Sequence, residues 1–112
     1  MNSILASIKE RIGIAEDDAS FDTDVIDLIN SAFADLNDIG VGPSDGFSIT
    51  GDNYDVWDDF VEDIRVLNSV KEFVYLTVKL TFDPPTQSAL LTSMQSRLNK
   101  LEWRLNVKCD SN

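Results

Sequence analysis

The fold is decided by residues 82–105, FDPPTQSALLTSMQSRLNKLEWRL, in which a pair of prolines separates two helical patterns. Pro84 and Pro85 lack the amide donor and disfavour a helical conformation in the residue before each, so a helix that ends at Phe82 cannot continue. Thr86 is placed to begin the next helix. Its apolar residues recur at spacings of three and four, typical of helix–helix packing: Leu91, Met94, Leu98, Leu101 and Leu105. We therefore predict a helical hairpin here.

Two shorter helices are indicated near the beginning of the chain. The first begins at Asn2 or Ser3, either of which can cap it, and ends near Ile12. The second begins at Asp22, whose carboxylate is placed to cap free amides, and it ends at Gly40. Its buried stripe consists of Ile26, Ile29, Phe33 and Leu36. We expect each of these helices to bury one face.

Residues 56–64 and 67–82 predict a short helix and a long one. The short helix would place four apolar side chains inside: Trp57, Phe60, Val61 and Ile64. The long helix is apolar on nearly every side, which is typical of a central helix or of one within an interface. We therefore predict an all-α fold, a bundle of four to five helices in a single domain of residues 1–112. Residues 106–112 would form a short polar tail.

Residues 40–56 interrupt the helical pattern with a glycine-rich insertion. Phe47 and Ile49 alternate with polar residues, as in a short strand, and Val56 could pair back to form a hairpin. A long insertion of this kind inside a helical domain is usually functional or mobile. We therefore predict a long central loop or a hairpin-like insertion.

Acidic residues are concentrated in the first part of the chain. Residues 1–63 hold 16 of the 20 Asp and Glu residues, whereas residues 64–112 hold seven of the nine Lys and Arg residues. This polarity would let the acidic half of one copy meet the basic half of another, although solubility alone could also explain it. No apolar stretch reaches the roughly 18 residues of a membrane span, and we expect no signal peptide. The single cysteine, Cys109, favours a reducing cytosolic site of assembly.

The sequence offers little catalytic chemistry. It contains no histidine, Cys109 has no histidine to activate it, and no glycine-rich phosphate loop occurs. We therefore expect no enzyme, no cofactor and no metal. Four acids in and after the insertion could still gather around a hard cation, although solvated faces and helix caps are the favoured interpretation: Asp52, Asp55, Asp58 and Asp59.

Several aromatic and apolar residues are candidates for contact with a partner. Trp57 is most simply a core anchor at the start of a helix, and an interface position is the alternative. Trp103, beside Arg104, lies off the leucine seam and could pack on the core or anchor a neighbouring subunit, since Trp and Arg are enriched at interface centres. Three residues of the insertion are harder to place inside the core, and for them we favour a partner contact: Phe47, Ile49 and Tyr54.

Three segments together resemble a known family. They are FDTDVI at 21–26, YLTVKLTFDPP at 75–85 and LEWRL at 101–105. Their order and spacing are similar to those of the head–tail connector proteins of long-tailed bacteriophages, also called adaptor or head-completion proteins. The resemblance covers most of the chain and is weakest in residues 40–56.

The resemblance implies a non-enzymatic virion protein at the head–tail interface, assembled in the host cytoplasm. Such a subunit forms a ring of about a dozen copies beneath the portal protein, extends the DNA channel and carries the neck or stopper protein. The C-terminal helix and tail would reach toward the portal, and the insertion would meet the neck protein or an adjacent copy. Double-stranded DNA would pass without specific binding, and no membrane would be involved. The resemblance also implies that four acids line the channel or face an adjacent subunit: Asp52, Asp55, Asp58 and Asp59.

Two other functions compete with this one. A small acidic inhibitor that mimics DNA would also be rich in carboxylates, but its acids should be spaced along one face of an elongated molecule. A carboxylate enzyme or a cation-binding module would need a convergent pocket. We prefer the connector because the acids of this chain fall largely at turns and caps.

Overall fold

The computed structural model describes residues 3–15, 17–43, 45–50 and 55–110. Within these ranges the chain forms five helices and no strand, so the predicted all-α class is confirmed. The helices are α1 (Ile4–Ile12), α2 (Asp22–Asp38), α3 (Trp57–Phe60), α4 (Ile64–Phe82) and α5 (Ser88–Asp110). None of the described helices is long and apolar enough to cross a membrane.

Helix α1 begins and ends as its sequence predicts. The Ser3 hydroxyl accepts a hydrogen bond from the Ala6 amide at 3.3 Å, and Gly13 adopts a left-handed conformation at the other end. Helix α2 differs from the prediction, because its cap position is Phe21 and no side chain caps it. The Asp22 carboxylate instead contacts Lys9 of α1, so a residue expected to cap one helix joins two helices.

Helix α4 is the centre of the bundle, and all four other helices pack on it. It buries side chains around most of its circumference: Val66, Leu67, Val70, Phe73, Val74, Leu76 and Val78. The predicted short helix at 56–64 is wrong in extent, because α3 ends at Phe60 and the chain is extended at Val61. Ile64, expected inside, is 69% exposed as the first residue of α4.

Helix α5 is longer than its sequence pattern predicts. It begins at Ser88 rather than at Thr86, and it continues through Asp110, so the predicted separate tail is wrong for residues 106–110. The seam itself is confirmed at its end, where Leu101 and Leu105 are buried. Met94 and Leu98 pack on the same core less deeply.

The insertion after α2 is tied to the helices without forming a described strand. The side-chain amide of Asn30 accepts a hydrogen bond from the Ile49 amide at 2.7 Å and donates one to the Ile49 carbonyl at 3.1 Å. Val56 forms an isolated antiparallel bridge with Ser3, so it pairs with the start of α1 rather than with the predicted strand. The strand expected at Phe47 and Ile49 is absent from residues 45–50.

Gly42 gives a test of how tightly the insertion packs. Its φ is +91°, and a Cβ there would collide with the Phe60 ring, whereas Gly46 has a φ of +95° and open space around it. We expect Gly42→Ala to lower the free energy of unfolding by about 3 kcal/mol, through backbone strain and overpacking together. Gly46→Ala should cost only about 1 kcal/mol, from the backbone strain alone. Urea unfolding of both variants measures the difference, and equal losses would contradict the packing of Gly42 on Phe60.

Candidate interaction surfaces

Four aromatic rings cluster where α2, α3 and the insertion meet. The Phe33 ring of α2 lies 5.1 Å from Phe47, 6.1 Å from Trp57 and 4.5 Å from Phe60, between ring centroids. Such pairs stabilise a core beyond the area they bury. The Trp57 indole is 3% exposed and donates a hydrogen bond to the Ser7 hydroxyl of α1 at 3.0 Å. The cluster therefore connects the insertion to three helices.

The insertion residues predicted to meet a partner are mostly occupied within the chain. Ile49 is 3% exposed and Phe47 is half-buried against Phe33 and Phe60. Tyr54 lies outside the described residues. The contact of Phe47, Ile49 and Trp57 with a partner stays a prediction. In the isolated chain, Ile49 and Trp57 pack in the core and Phe47 packs against it.

Three of the four candidate acids lie at the beginning of α3. The Asp55 carboxylate accepts a hydrogen bond from the Thr50 amide at 3.2 Å, and the Asp59 carboxylate accepts one from the Val56 amide at 3.5 Å. Asp58 and Asp59 are exposed, and Asp52 lies outside the described residues. Within the described part of the chain, no three acidic or thiol side chains are grouped so that they could hold a metal ion. The arrangement fits turn and cap roles.

Helix α5 presents an apolar pair to solvent. Trp103 is 67% exposed and Val107, one turn later, is 48% exposed. Arg104 beside them is exposed as well. Packing of Trp103 on the core is therefore wrong, and its contact with a neighbouring subunit stays a prediction.

A basic cleft of about 430 Å³ lies between α1, α4 and α5, and the sequence analysis missed it. Its charged lining consists of Arg11, Lys71, Glu72, Arg97 and Arg104. Glu72 contacts Arg11 at 3.0 Å and Arg97 at 3.4 Å, and the Arg11 guanidinium stacks 3.8 Å from the Tyr75 ring centroid. The surplus of bases after residue 63 was a signal for it, but nothing in the sequence indicated that Arg11 would join them.

A buried lysine connects α1 to the turn before α2. Lys9 is 3% exposed, its Nζ lies 2.8 Å from the Asp22 carboxylate, and it donates a hydrogen bond to the Asp18 carbonyl at 2.7 Å. The Asp18 carboxylate accepts a hydrogen bond from the Ser20 amide, which holds the pKa of Asp18 below its usual value. The contacts of Lys9 with Asp18 and Asp22, together with the hydrogen bond from Ser20 to Asp18, therefore fix the polar turn between α1 and α2.

Comparison with known proteins gives one decisive result. A family model described as phage connector protein matches residues 4–112. The chain belongs to the phage connector protein family. No curated protein and no solved structure matches it.

Membership of this family confirms the resemblance seen in the sequence and sets the general role of the chain. Phage connectors are structural proteins of the virion, and membership of the family implies interaction with other phage head and tail proteins. The match extends over every described helix, including the part of α5 beyond Leu105. The exposed end of α5 therefore lies within the part of the chain that the family model matches.

Replacing the buried lysine tests how strongly α1 is held to α2. We expect Lys9→Met to lower the free energy of unfolding by about 2 kcal/mol, since it leaves the half-buried Asp22 carboxylate without its cation. Asp22 is 29% exposed, so the loss should be smaller than for a fully buried pair. Thermal and urea unfolding measure it.

The matched control is Lys79→Met, which removes an i,i+4 pair with the 61%-exposed Asp83 carboxylate. It should cost no more than about 0.5 kcal/mol. If Lys9→Met were as mild as this control, the contact between Lys9 and Asp22 would not be what fixes the start of α2.

Proposed function

We propose that this connector forms a homo-oligomeric ring beneath the portal vertex, extends the DNA channel there and carries the neck or stopper protein. The observation that supports it most directly is the exposed apolar pair of Trp103 and Val107 on a helix that Leu101 and Leu105 anchor in the core. A large aromatic side chain held in solvent on a rigid helix is typical of a residue that a partner covers.

We assign the portal as the partner of this pair because the family resemblance implies that the C-terminal helix, here α5, reaches toward the portal; an adjacent subunit is the alternative. Leu101 and Leu105 anchor α5 in the core, so Trp103 and Arg104 between them are held on a fixed surface. Binding there requires little ordering of the backbone, which reduces the entropic cost of association. Tryptophan and arginine are the side chains most often found at the centre of such interfaces.

The charge of the connector favours a channel through which DNA slides. Its formal net charge is −11, and duplex DNA binds non-specifically to proteins that neutralise its phosphates with Lys and Arg. Carboxylates facing the channel would repel phosphates over roughly 8 Å at physiological salt. Asp58 and Asp59 are exposed and remain candidates for that surface. DNA could therefore pass in either direction without being held.

Trp103→Ala tests the proposed docking surface. Because the side chain is 67% exposed, we expect the free energy of unfolding to change by no more than about 0.5 kcal/mol. In phage that depend on the variant for complementation, we expect particles with few or no connector subunits in the neck, counted by electron microscopy, and infectious titre reduced at least about a hundredfold.

Leu90→Ala is the control for this test, since Leu90 is 47% exposed on the same helix but lies away from Trp103 around its axis. It should leave titre and neck occupancy unchanged. A normal neck with Trp103→Ala would exclude Trp103 as a docking residue. Absence of the wild-type chain from the neck would contradict the proposed function as a whole.

A DNA-binding measurement tests the channel. We expect the purified connector to bind duplex DNA no more tightly than about 10⁻⁴ M at physiological salt, the weak limit of non-specific binding. Fluorescence anisotropy with a labelled duplex measures it. Tight binding would contradict a sliding channel, and capture of a host nuclease without any phage structural protein would instead favour the DNA-mimic alternative.

A further inference from the structure

We infer that the basic cleft between α1, α4 and α5 of one copy receives the exposed acidic face of α2 of a second copy. The inference rests on the proposed ring and specifies which two surfaces form its repeated contact. It follows from the charges of the two surfaces, from their spacing and from their separate positions in the fold.

The cleft carries positive charge that no described carboxylate neutralises, although the Lys71 Nζ lies 5.9 Å from the centroid of the Trp57 ring. Glu72 is its single acid, and it contacts Arg11 and the Nε of Arg97. Neither Lys71 nor Arg104 forms an ion pair with any described residue. Arginine presents a planar fork that suits carboxylates, and Glu72 holds two of these forks in place before a partner arrives.

The outer face of α2 is a stripe of carboxylates. It consists of Asp24, Asp27, Asp35 and Asp38, all exposed. At 100° per residue these four positions fall within about 80° of arc, and they extend over about 21 Å of helix. No basic residue occurs in α2, and the stripe makes no ion pair within the described ranges. This surface, which the sequence analysis did not identify, is therefore available to a cationic partner.

The spacing of two arginines in the cleft is close to the spacing of two aspartates in the stripe. Arg97 and Arg104 are seven residues apart on α5, about 10 Å along the helix, and Asp27 and Asp35 are eight residues apart on α2, about 12 Å. An arginine side chain easily spans the difference. Two helices laid side by side could thus form two charge-assisted contacts at once.

The basic cleft and the acidic stripe of one chain do not pair with each other. Helices α2 and α5 each pack mainly on α4 rather than on one another, and no residue of the acidic stripe lines the cleft. A contact between unlike surfaces of identical chains is heterologous, and repetition of it with a closing rotation produces a ring. Two such surfaces are the minimum that a ring subunit requires.

The chemistry favours a protein carboxylate over a DNA phosphate in the cleft. The net charge of −11 opposes the approach of DNA and of a second copy alike. The second copy differs from DNA because it presents a short local stripe of carboxylates whose spacing is close to that of the arginines in the cleft. DNA binding by the cleft is therefore an outcome that the experiment must be able to detect.

The test uses purified phage particles treated with a water-soluble carbodiimide, which joins a carboxylate to an amine without a spacer. We expect a covalent dimer of the connector whose cross-linked peptides join Lys71 to an aspartate of the α2 stripe. Its yield should fall at least about tenfold in particles made with Arg97→Glu/Arg104→Glu, and equally with Asp27→Lys/Asp35→Lys, because like charges then face each other. Co-expression of the two double variants should restore the dimer, because each contact between unlike variants then pairs either the two native surfaces or the two reversed ones. The cross-links should pass through Lys71 at the first kind of contact and through the substituted positions at the second.

Arg65→Glu is the control, because the Arg65 side chain is 79% exposed, lies outside the cleft and undergoes the same Arg-to-Glu reversal at a single position. It should leave the dimer yield unchanged. Thermal unfolding of each purified variant, within a few degrees of the wild type, separates a lost contact from a lost fold.

Two results would overturn the inference. One is a connector present in the neck without any cross-link between Lys71 and α2, which would leave the proposed function intact. The other is duplex DNA binding by the wild type that Arg97→Glu/Arg104→Glu abolishes, which would assign the cleft to nucleic acid. If the connector were absent from the particles altogether, the proposed function itself would fail.

Discussion

The packing of α4 against all the other helices is the constraint on which the rest of the connector depends. Its apolar side chains point in nearly every direction, so the helix is stable only when neighbours surround it. Helices α2 and α5 cover most of it and thereby direct their own polar faces outward. The acidic stripe and the cleft are therefore separate surfaces because α2 and α5 both pack on the buried helix α4.

Polar contacts then select one arrangement of the helices and the insertion, which apolar packing alone does not determine. The Lys9 ammonium holds the turn before α2, Asn30 holds the insertion through the backbone of Ile49, and Trp57 reaches the Ser7 hydroxyl. Each of these contacts is directional, so each selects one arrangement among several of similar apolar burial. A rigid subunit follows, and rigidity lowers the entropic cost of forming a repeated assembly.

The sequence predicted the helices well because their signals are local. The prolines at 84 and 85, the Ser3 cap and the leucine spacing each act within one or two turns of chain. The errors at Asp22 and Ile64 arose where a distant side chain or a change of direction overrode the local pattern. The basic cleft could not be predicted, because Arg11 and Glu72 are 61 residues apart in sequence and meet only through tertiary packing.

The two tryptophans lie in opposite environments, and this gives the connector two built-in optical reporters. Trp57 is enclosed among aromatic rings, so its emission should be blue-shifted and shielded from iodide, and it reports on folding. Trp103 faces water, so its emission should be red-shifted and readily quenched until a neighbour covers it. Assembly of a neck could therefore be followed in real time, without an attached dye, as the loss of quenching at one indole while the other stays constant.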